Sequence, residues 1–67
     1  MTVFASNLVK KREAKRMTQE ELAKRAGVTQ GCISQYERGI VPSATIAVKI
    51  AEALGTTVEQ LVKEVEQ

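Results

Sequence analysis

Three residues between positions 30 and 35 carry side chains that both donate and accept hydrogen bonds: Gln30, Ser34 and Gln35. A solvent-facing helix ordinarily favours Lys and Glu at such positions, because they combine helix propensity with solubility. A glutamine amide can instead pair with N6 and N7 of adenine, and a serine hydroxyl can bond to several base edges. The pattern therefore favours a surface that reads nucleic-acid bases. The alternative is a helix face that is merely solvated.

The charge distribution also points to a polyanion. Residues 1–38 hold eight Lys and Arg against four Glu, a net charge of +4, whereas residues 39–67 carry −2. A basic half beside an acidic half is typical of proteins that bind nucleic acid, although ordinary surface helices carry similar charges. Gln19 is predicted in the first turn of a helix, where outward amides can bind a phosphate. Side chains that could add non-specific attraction are Lys10, Lys11, Lys15, Arg16, Lys24 and Arg25.

Composition argues against most other functions. The chain has 67 residues, which fits one domain over 1–67, and it contains no His, Asp or Trp. Cys32 has no second cysteine to pair with and is expected to be a small buried residue. These absences argue against disulfides, metal clusters, cofactors and imidazole catalysis, so we expect no enzyme. No apolar run exceeds three residues, which predicts a cytoplasmic protein without a membrane span or signal peptide.

Helix signals alone recur along the chain. An apolar stripe predicts a first helix over about 3–15, formed by Phe4, Ala5, Leu8 and Val9. Thr18 and Glu21 form a capping-box pattern that starts a second helix over about 19–26. Gly27 ends it, and Thr29 starts a third helix over about 30–38 with Ile33 and Tyr36 facing inward. So short a connection forces a steep crossing, which predicts a helix-turn-helix pair.

Two further helices complete the predicted fold. Pro42 and Ser43 open the fourth, and Gly55 ends it. Thr57 caps a fifth, whose apolar face is predicted to comprise Val58, Leu61, Val62 and Val65. No segment alternates with the period of a strand, so the fold is predicted to be all-α with five short helices. Arg12 and Glu37 each lie near the apolar stripe of their helix, which favours a structural ion pair over a contact with DNA.

Taken together, these motifs resemble the Cro and phage-repressor type of helix-turn-helix family, with a λ-repressor-like fold. The resemblance covers about residues 7–62, and its combination of motifs at family spacing is specific. The segments that carry it are Met17 to Gln30, Ile33 to Gly39, Pro42-Ser43 and Ile50 to Gly55.

The resemblance implies roles for particular residues. Gln19 would hold a phosphate and support Gln30, and Arg38 would contact the DNA backbone. Arg12 and Glu37 match the buried ion pair of the family. The residues expected to face bases or nearby phosphates are Thr29, Gln30, Ser34 and Gln35.

Three positions depart from the family pattern. Gly31 stands where relatives often place a reading side chain, which leaves only a close approach of its backbone to DNA. Arg16 replaces the usual Gly after the first helix, and a left-handed residue with a side chain costs about 1 kcal/mol. Ile40 and Val41 occupy a loop that is often polar or basic, so only their backbone amides could bind phosphate.

The functional hypothesis is a sequence-specific transcriptional regulator that binds double-stranded DNA through the major groove. We expect a repressor that blocks polymerase, and a homodimer on a palindromic operator, formed through the fifth helix and the loop at Ile40 and Val41. The alternative is a protein-interaction or antitoxin-like module on the same fold. For a third hypothesis, an enzyme, the sequence offers no candidate catalytic group.

Overall fold

A computed structural model of the protein describes residues 2–63 and shows an all-α fold, as predicted. Within these residues no strand is present, and no helix is long and apolar enough to cross a membrane. The five helices described are α1 (Val3–Ala14), α2 (Gln19–Ala26), α3 (Gln30–Glu37), α4 (Ala44–Ala53) and α5 (Val58–Val62). Val65, predicted on the apolar face of the fifth helix, lies outside the described residues.

Each helix begins with the same device. A Thr or Ser precedes its first residue, and the hydroxyl accepts a hydrogen bond from the amide three residues on, which satisfies one of the free N–H groups at the helix start. At α2 the predicted capping box is complete. The Glu21 amide donates to Thr18 Oγ1 at 3.0 Å, and the Thr18 amide donates to Glu21 Oε1 at 2.9 Å.

The ends of α1 to α4 are also alike. A residue with a positive φ follows one or two positions after the last residue of each helix, and amides at that turn donate back to the last turn of the helix. Three of these turns use glycine, but the turn after α1 uses Arg16, whose φ is +57°. Among residues 2–63 it is the one non-glycine residue with a positive φ. The left-handed turn predicted at Arg16 is therefore present, with its strain.

The core lies between the helices and consists of aliphatic side chains together with Phe4. α2 packs on α3 and α4, while α5 packs on α1 and α4. Val9, Val58 and Tyr36 are only half-buried, and Val62 is 54% exposed. The largest fully buried side chains are Leu8, Leu22, Ile33, Ile50, Leu54 and Leu61.

Asn7 is a buried polar residue that the periodicity of the sequence did not predict. Its side chain is 5% exposed, and its Nδ2 donates to the carbonyls of Leu61 and Lys63, both at 2.9 Å. The Gln60 carbonyl lies farther away, at 3.4 Å. The Asn7 amide therefore donates to carbonyls at the end of α5 and joins that helix to α1.

Candidate nucleic-acid interface

The predicted reading surface is carried by α3, which follows α2 after a turn at Gly27. The Gly27 and Val28 amides donate to the carbonyls of Lys24 and Ala23, which closes the end of α2. Thr29 then caps α3, because its hydroxyl accepts from the Cys32 amide at 3.2 Å. Two capped helices separated by so few residues present the start of α3 to solvent, which is the geometry of a helix-turn-helix pair.

The structure brings the predicted site residues to one side of this pair. Positions 30, 31, 34, 35 and 38 follow the helical repeat, so they share a face of α3. Ile33 lies on the opposite face and is fully buried. Ser34 and Gln19 are half-buried, and the exposed members of the set are Thr29, Gln30, Gly31, Gln35 and Arg38. Arg38 was predicted inside the helix but caps its end, one residue beyond Glu37.

Gly31 sits in ordinary helical backbone, so its lack of a side chain is not required by its conformation. A Cβ built at Gly31 would meet only the Thr29 hydroxyl, at 3.8 Å. The protein itself therefore leaves room for a side chain at this position. A glycine in the first turn lets the α3 backbone come closer to a flat partner than any other residue would.

The predicted ion pair between Arg12 and Glu37 is present and nearly buried, with side chains 14% and 8% exposed. Arg12 Nε donates to Glu37 Oε2 at 2.6 Å, and Arg12 Nη2 donates to Glu37 Oε1 at 3.3 Å. Arg12 Nη1 also donates to the Met17 carbonyl at 2.8 Å. One guanidinium therefore joins α1, the turn before α2 and the end of α3.

Glu37 has a second partner residue that sequence reasoning missed. Gln19 Nε2 donates to Glu37 Oε1 at 2.9 Å, so the first residue of α2 is tied to the last residue of α3. The other end of the same amide, Gln19 Oε1, accepts from Gln30 Nε2 at 3.5 Å. The resemblance predicted support of Gln30 by Gln19. No sequence signal indicated that Gln19 is itself held by Glu37, because the two residues are 18 positions apart.

The loop after α3 differs from its prediction in one respect. The Ile40 amide donates to the Gln35 carbonyl at 3.1 Å. It closes the turn after α3 and is not free for a phosphate, contrary to the expectation that both loop amides remained available. Ile40 and Val41 are 57% and 69% exposed, so the loop presents apolar side chains to solvent.

Cys32 is half-buried, which corrects the expectation of a fully buried residue. It precedes the fully buried Ile33 on α3 and is itself partly exposed. A hydrogen bond from the Thr29 side chain lowers the pKa of the Cys32 thiol. Burial raises the pKa of Tyr36, and the neighbouring Cys32 thiol adds to that effect.

The basic side chains proposed to attract phosphate are all exposed, but they do not form a purely positive surface. Lys24 lines a shallow groove between α2 and α3 together with Gln30, Glu20 and Glu21. Among residues 2–63 no group of three His, Cys, Asp or Glu could hold a metal ion. This surface offers amides and hydroxyls for hydrogen bonding, beside both positive and negative side chains.

The chain belongs to the helix-turn-helix family of the Cro/C1 type, whose family model matches residues 8–61. This match confirms the resemblance inferred from the motifs and agrees with the λ-repressor-like fold. A comparison with curated proteins finds no match.

Solved structures of one enzyme are similar to the chain. A structure of hydroxypropylphosphonic acid epoxidase from S. wedmorenis has a TM-score of 0.83 and 31% identity, over 92% of this chain and 34% of that one. The Fe(II) form of HppE has a TM-score of 0.85, with the same identity and coverage. Apo-HppE has a TM-score of 0.82 and 31% identity, over 92% of this chain and 35% of that one. The chain thus spans about a third of the length of these proteins.

Proposed function

We propose that the protein is a sequence-specific, DNA-binding transcriptional regulator that places α3 in the major groove. The observation that carries this proposal is the exposed polar face of α3, which follows a short turn after α2 in a chain of the helix-turn-helix family. Gln30 and Gln35 can pair with purine edges, while Thr29 and Ser34 can bond to bases or nearby phosphates. Because Gly31 has no side chain, the α3 backbone can approach the DNA closely at that position. Gln19 and Arg38 would contact phosphates on either side.

The proposal includes a homodimer on a palindromic operator. One short helix contacts too few base pairs to bind tightly, and a two-fold dimer doubles the contacts. Half-sites would lie about 10 base pairs apart, so that both α3 helices meet the same face of the duplex. The candidate dimer residues are exposed and apolar: Val62 of α5, and Ile40 and Val41 of the loop.

Repression by blocking polymerase is the simplest mode of action, because it needs only occupancy of the operator. The proposal also places the protein in the cytoplasm. We do not assign a catalytic reaction or a cofactor to this chain, since the sequence contains neither His nor Asp.

The test is selection of bound duplexes from a random pool at two salt concentrations, followed by sedimentation with the selected duplex. We expect a symmetric consensus, two protein chains per duplex and affinity that falls as salt rises, because phosphate contacts release counterions. Recovery of no consensus at either salt concentration would contradict sequence-specific binding. A single chain on an asymmetric half-site, at saturating protein, would contradict the dimer.

A second candidate is a protein-interaction or antitoxin-like module. Two observations favour it: the exposed apolar side chains of Ile40 and Val41, and the similarity to structures of an epoxidase, a protein named for a reaction and not for DNA binding. The two candidates differ in what Gln30→Ala with Gln35→Ala should do. The double variant abolishes duplex selection if α3 reads DNA. Under the second candidate the glutamine double variant has no effect on function, whereas Ile40→Ser with Val41→Ser abolishes binding to a protein other than a second copy of this chain.

A further inference from the structure

A second groove lies between the ends of α2 and α4, and exposed cationic side chains from both helices line it. They are Lys24 and Arg25 of α2 and Lys49 of α4, and Glu52 is the one carboxylate among the lining residues. We propose that this groove binds an extended, acidic segment of a partner protein. The inference goes beyond the proposed function and does not depend on it, because it concerns a different surface.

The three cations of this groove are not explained by pairing within the protein. In the part of the chain that the structure describes, the ion pair between Arg12 and Glu37 is the one present, so Lys24, Arg25 and Lys49 have no partner there. Lys24 and Arg25 lie in the last turn of α2, where positive charge is favourable. Lys49 precedes the last turn of α4 and adds a third charge to the same groove. Like charges that converge repel one another, so an anion from outside the protein would relieve the repulsion.

The same groove also offers hydrogen-bond acceptors. Ala26 and Ala53, the last residues of α2 and α4, line it together with Gly27. The amides of the turn after each helix donate to earlier carbonyls and not to those of Ala26 or Ala53. The two helix ends therefore place carbonyl oxygens, and the negative ends of two helix dipoles, beside the cations.

This combination of groups fits a peptide better than a nucleic acid. An acidic peptide brings carboxylates for the cations and backbone N–H groups for the carbonyls. A phosphate backbone brings only acceptors, which the helix ends and Glu52 would repel. In an extended peptide, alternate side chains point the same way and lie about 7 Å apart. Glutamate at every second position would therefore present a row of carboxylates to the groove.

The groove is also separated from the surface that is proposed to read DNA. α2 packs on both α3 and α4, and this groove lies where α2 meets the second half of α4. Lys24 borders the groove beside Gln30 as well, whereas Arg25 and Lys49 line only the second groove of the two. A duplex held by α3 would have to bend around α2 to reach Arg25 and Lys49. DNA and an acidic peptide should consequently bind at the same time.

The test uses a fluorescein-labelled peptide in which Glu alternates with Ser, and the same peptide with Gln in place of Glu as the uncharged reference. We expect the protein to prefer the Glu peptide, with an affinity that falls as salt rises. Arg25→Glu with Lys49→Glu should weaken binding by roughly tenfold or more, because two attractions become repulsions.

The matched control is Lys10→Glu with Lys11→Glu, which makes the same change in net charge on α1. Lys11 also lies in the last turn of its helix, so the control includes a comparable cost at a helix end. We expect it to weaken peptide binding by less than about twofold, because screening limits the effect of distant charges. Equal losses in the two double variants overturn the proposal. If charge reversal unfolds the groove variant, Arg25→Gln with Lys49→Gln replaces it and should still lose more affinity than Lys10→Gln with Lys11→Gln.

Amide NMR of the unsubstituted protein locates the bound peptide directly. Resonances of residues 24–27 and 49–53 should shift during the titration, and shifts centred on α3 overturn the proposal. Saturation with a selected duplex should leave the peptide affinity unchanged, whereas displacement of the peptide would assign the groove to DNA.

Sedimentation without ligand tests a second copy of the chain as the occupant. The groove variant and its control should have the same mass, and dissociation of the groove variant alone would assign the groove to a second copy. Displacement by DNA or this dissociation overturns the proposal. If the protein selects no duplex, the proposed function fails, while the peptide titration still decides whether the groove binds an acidic segment.

Discussion

The two ends of α1 are each joined to another helix by a buried polar side chain, but the two connections differ in kind. Near its start, the neutral Asn7 amide donates to carbonyls at the end of α5, and the connection stops there. Near its end, the Arg12 guanidinium pairs with Glu37, and that carboxylate continues through Gln19 to Gln30 on the surface. The first connection only holds α5 against α1. The second joins the fold to the surface that is proposed to read DNA.

The difference shows how a small domain can use polar groups for two purposes. A buried charge is costly unless it is paired. The side chains of Arg12 and Glu37 must therefore keep one arrangement, or the protein loses much of its stability. A buried amide satisfies carbonyls at a smaller cost and imposes no charge. The charged Arg12–Glu37 pair lies beside α3, where the proposed function requires oriented side chains. The neutral Asn7 contact lies at α5, where the proposed function requires none.

Breaking the charged connection is expected to have the largest effect. Glu37→Ala leaves Arg12 without its partner in a nearly buried site, and we expect the free energy of unfolding to fall by about 3 to 5 kcal/mol. Chemical denaturation monitored by far-UV circular dichroism measures this loss. The matched comparison is Glu52→Ala, which removes an exposed carboxylate from α4 and should change stability by less than about 0.5 kcal/mol. Equal stability of the two variants would contradict a structural role for the pair.

Breaking the neutral connection should cost less. Asn7→Leu keeps the volume of the side chain but withdraws both short hydrogen bonds from the carbonyls of Leu61 and Lys63. We expect a loss of about 2 to 3 kcal/mol, because these partly buried acceptors lose the hydrogen bonds that Asn7 donates. Hydrogen exchange should also show earlier opening of α5 than of α3. Lys11→Ala on the exposed side of α1 serves as the control. If Asn7→Leu lost no more stability than Lys11→Ala, water would be replacing the Asn7 amide.

The two connections were not equally visible in the sequence. Arg12 and Glu37 could be paired because two opposite charges fell near apolar stripes and matched a family motif. Helix starts followed from short local patterns, whereas the left-handed Arg16 followed from the family resemblance. Asn7 could not be assigned, since its partners are backbone carbonyls more than 50 residues away and a carbonyl has no side-chain signature. The link between Gln19 and Glu37 was missed for a related reason: it depends on the crossing of α2 and α3, which spacing alone does not specify.

Loss of a reading side chain should separate binding from stability. Gln35→Ala removes an exposed amide that has no role in either connection, so its unfolding free energy should stay within about 0.5 kcal/mol of the original. Discrimination at one base pair of a selected duplex should fall by about 1 to 3 kcal/mol. Fluorescence anisotropy with matched and mismatched duplexes measures both affinities. Equal losses on specific and random DNA would show that Gln35 contacts only the backbone.

The smallest expected effect concerns the strained turn beside the charged connection. Arg16 has a φ of +57°, and the next residue, Met17, accepts from Arg12 Nη1 at 2.8 Å. The Arg12 contact therefore holds the strained turn in place. Relief of left-handed strain is worth about 1 to 2 kcal/mol. The greater freedom of glycine in the unfolded chain returns about 0.5 to 1 kcal/mol of that gain.

We therefore expect Arg16→Gly to stabilise the protein by about 0.5 to 1 kcal/mol, which raises the Tm by a few degrees in a domain of this size. Arg16→Ala is the necessary control, because it removes the same charge but keeps a Cβ in the left-handed turn. If Arg16 attracts phosphate, both variants should lose the same DNA affinity, and the loss should shrink as salt rises. Only the glycine variant should gain stability. If Arg16→Gly and Arg16→Ala were equally stable, the turn would relieve its strain even with a Cβ at position 16. The contact between Arg12 and Met17 would then not hold the turn in its left-handed form.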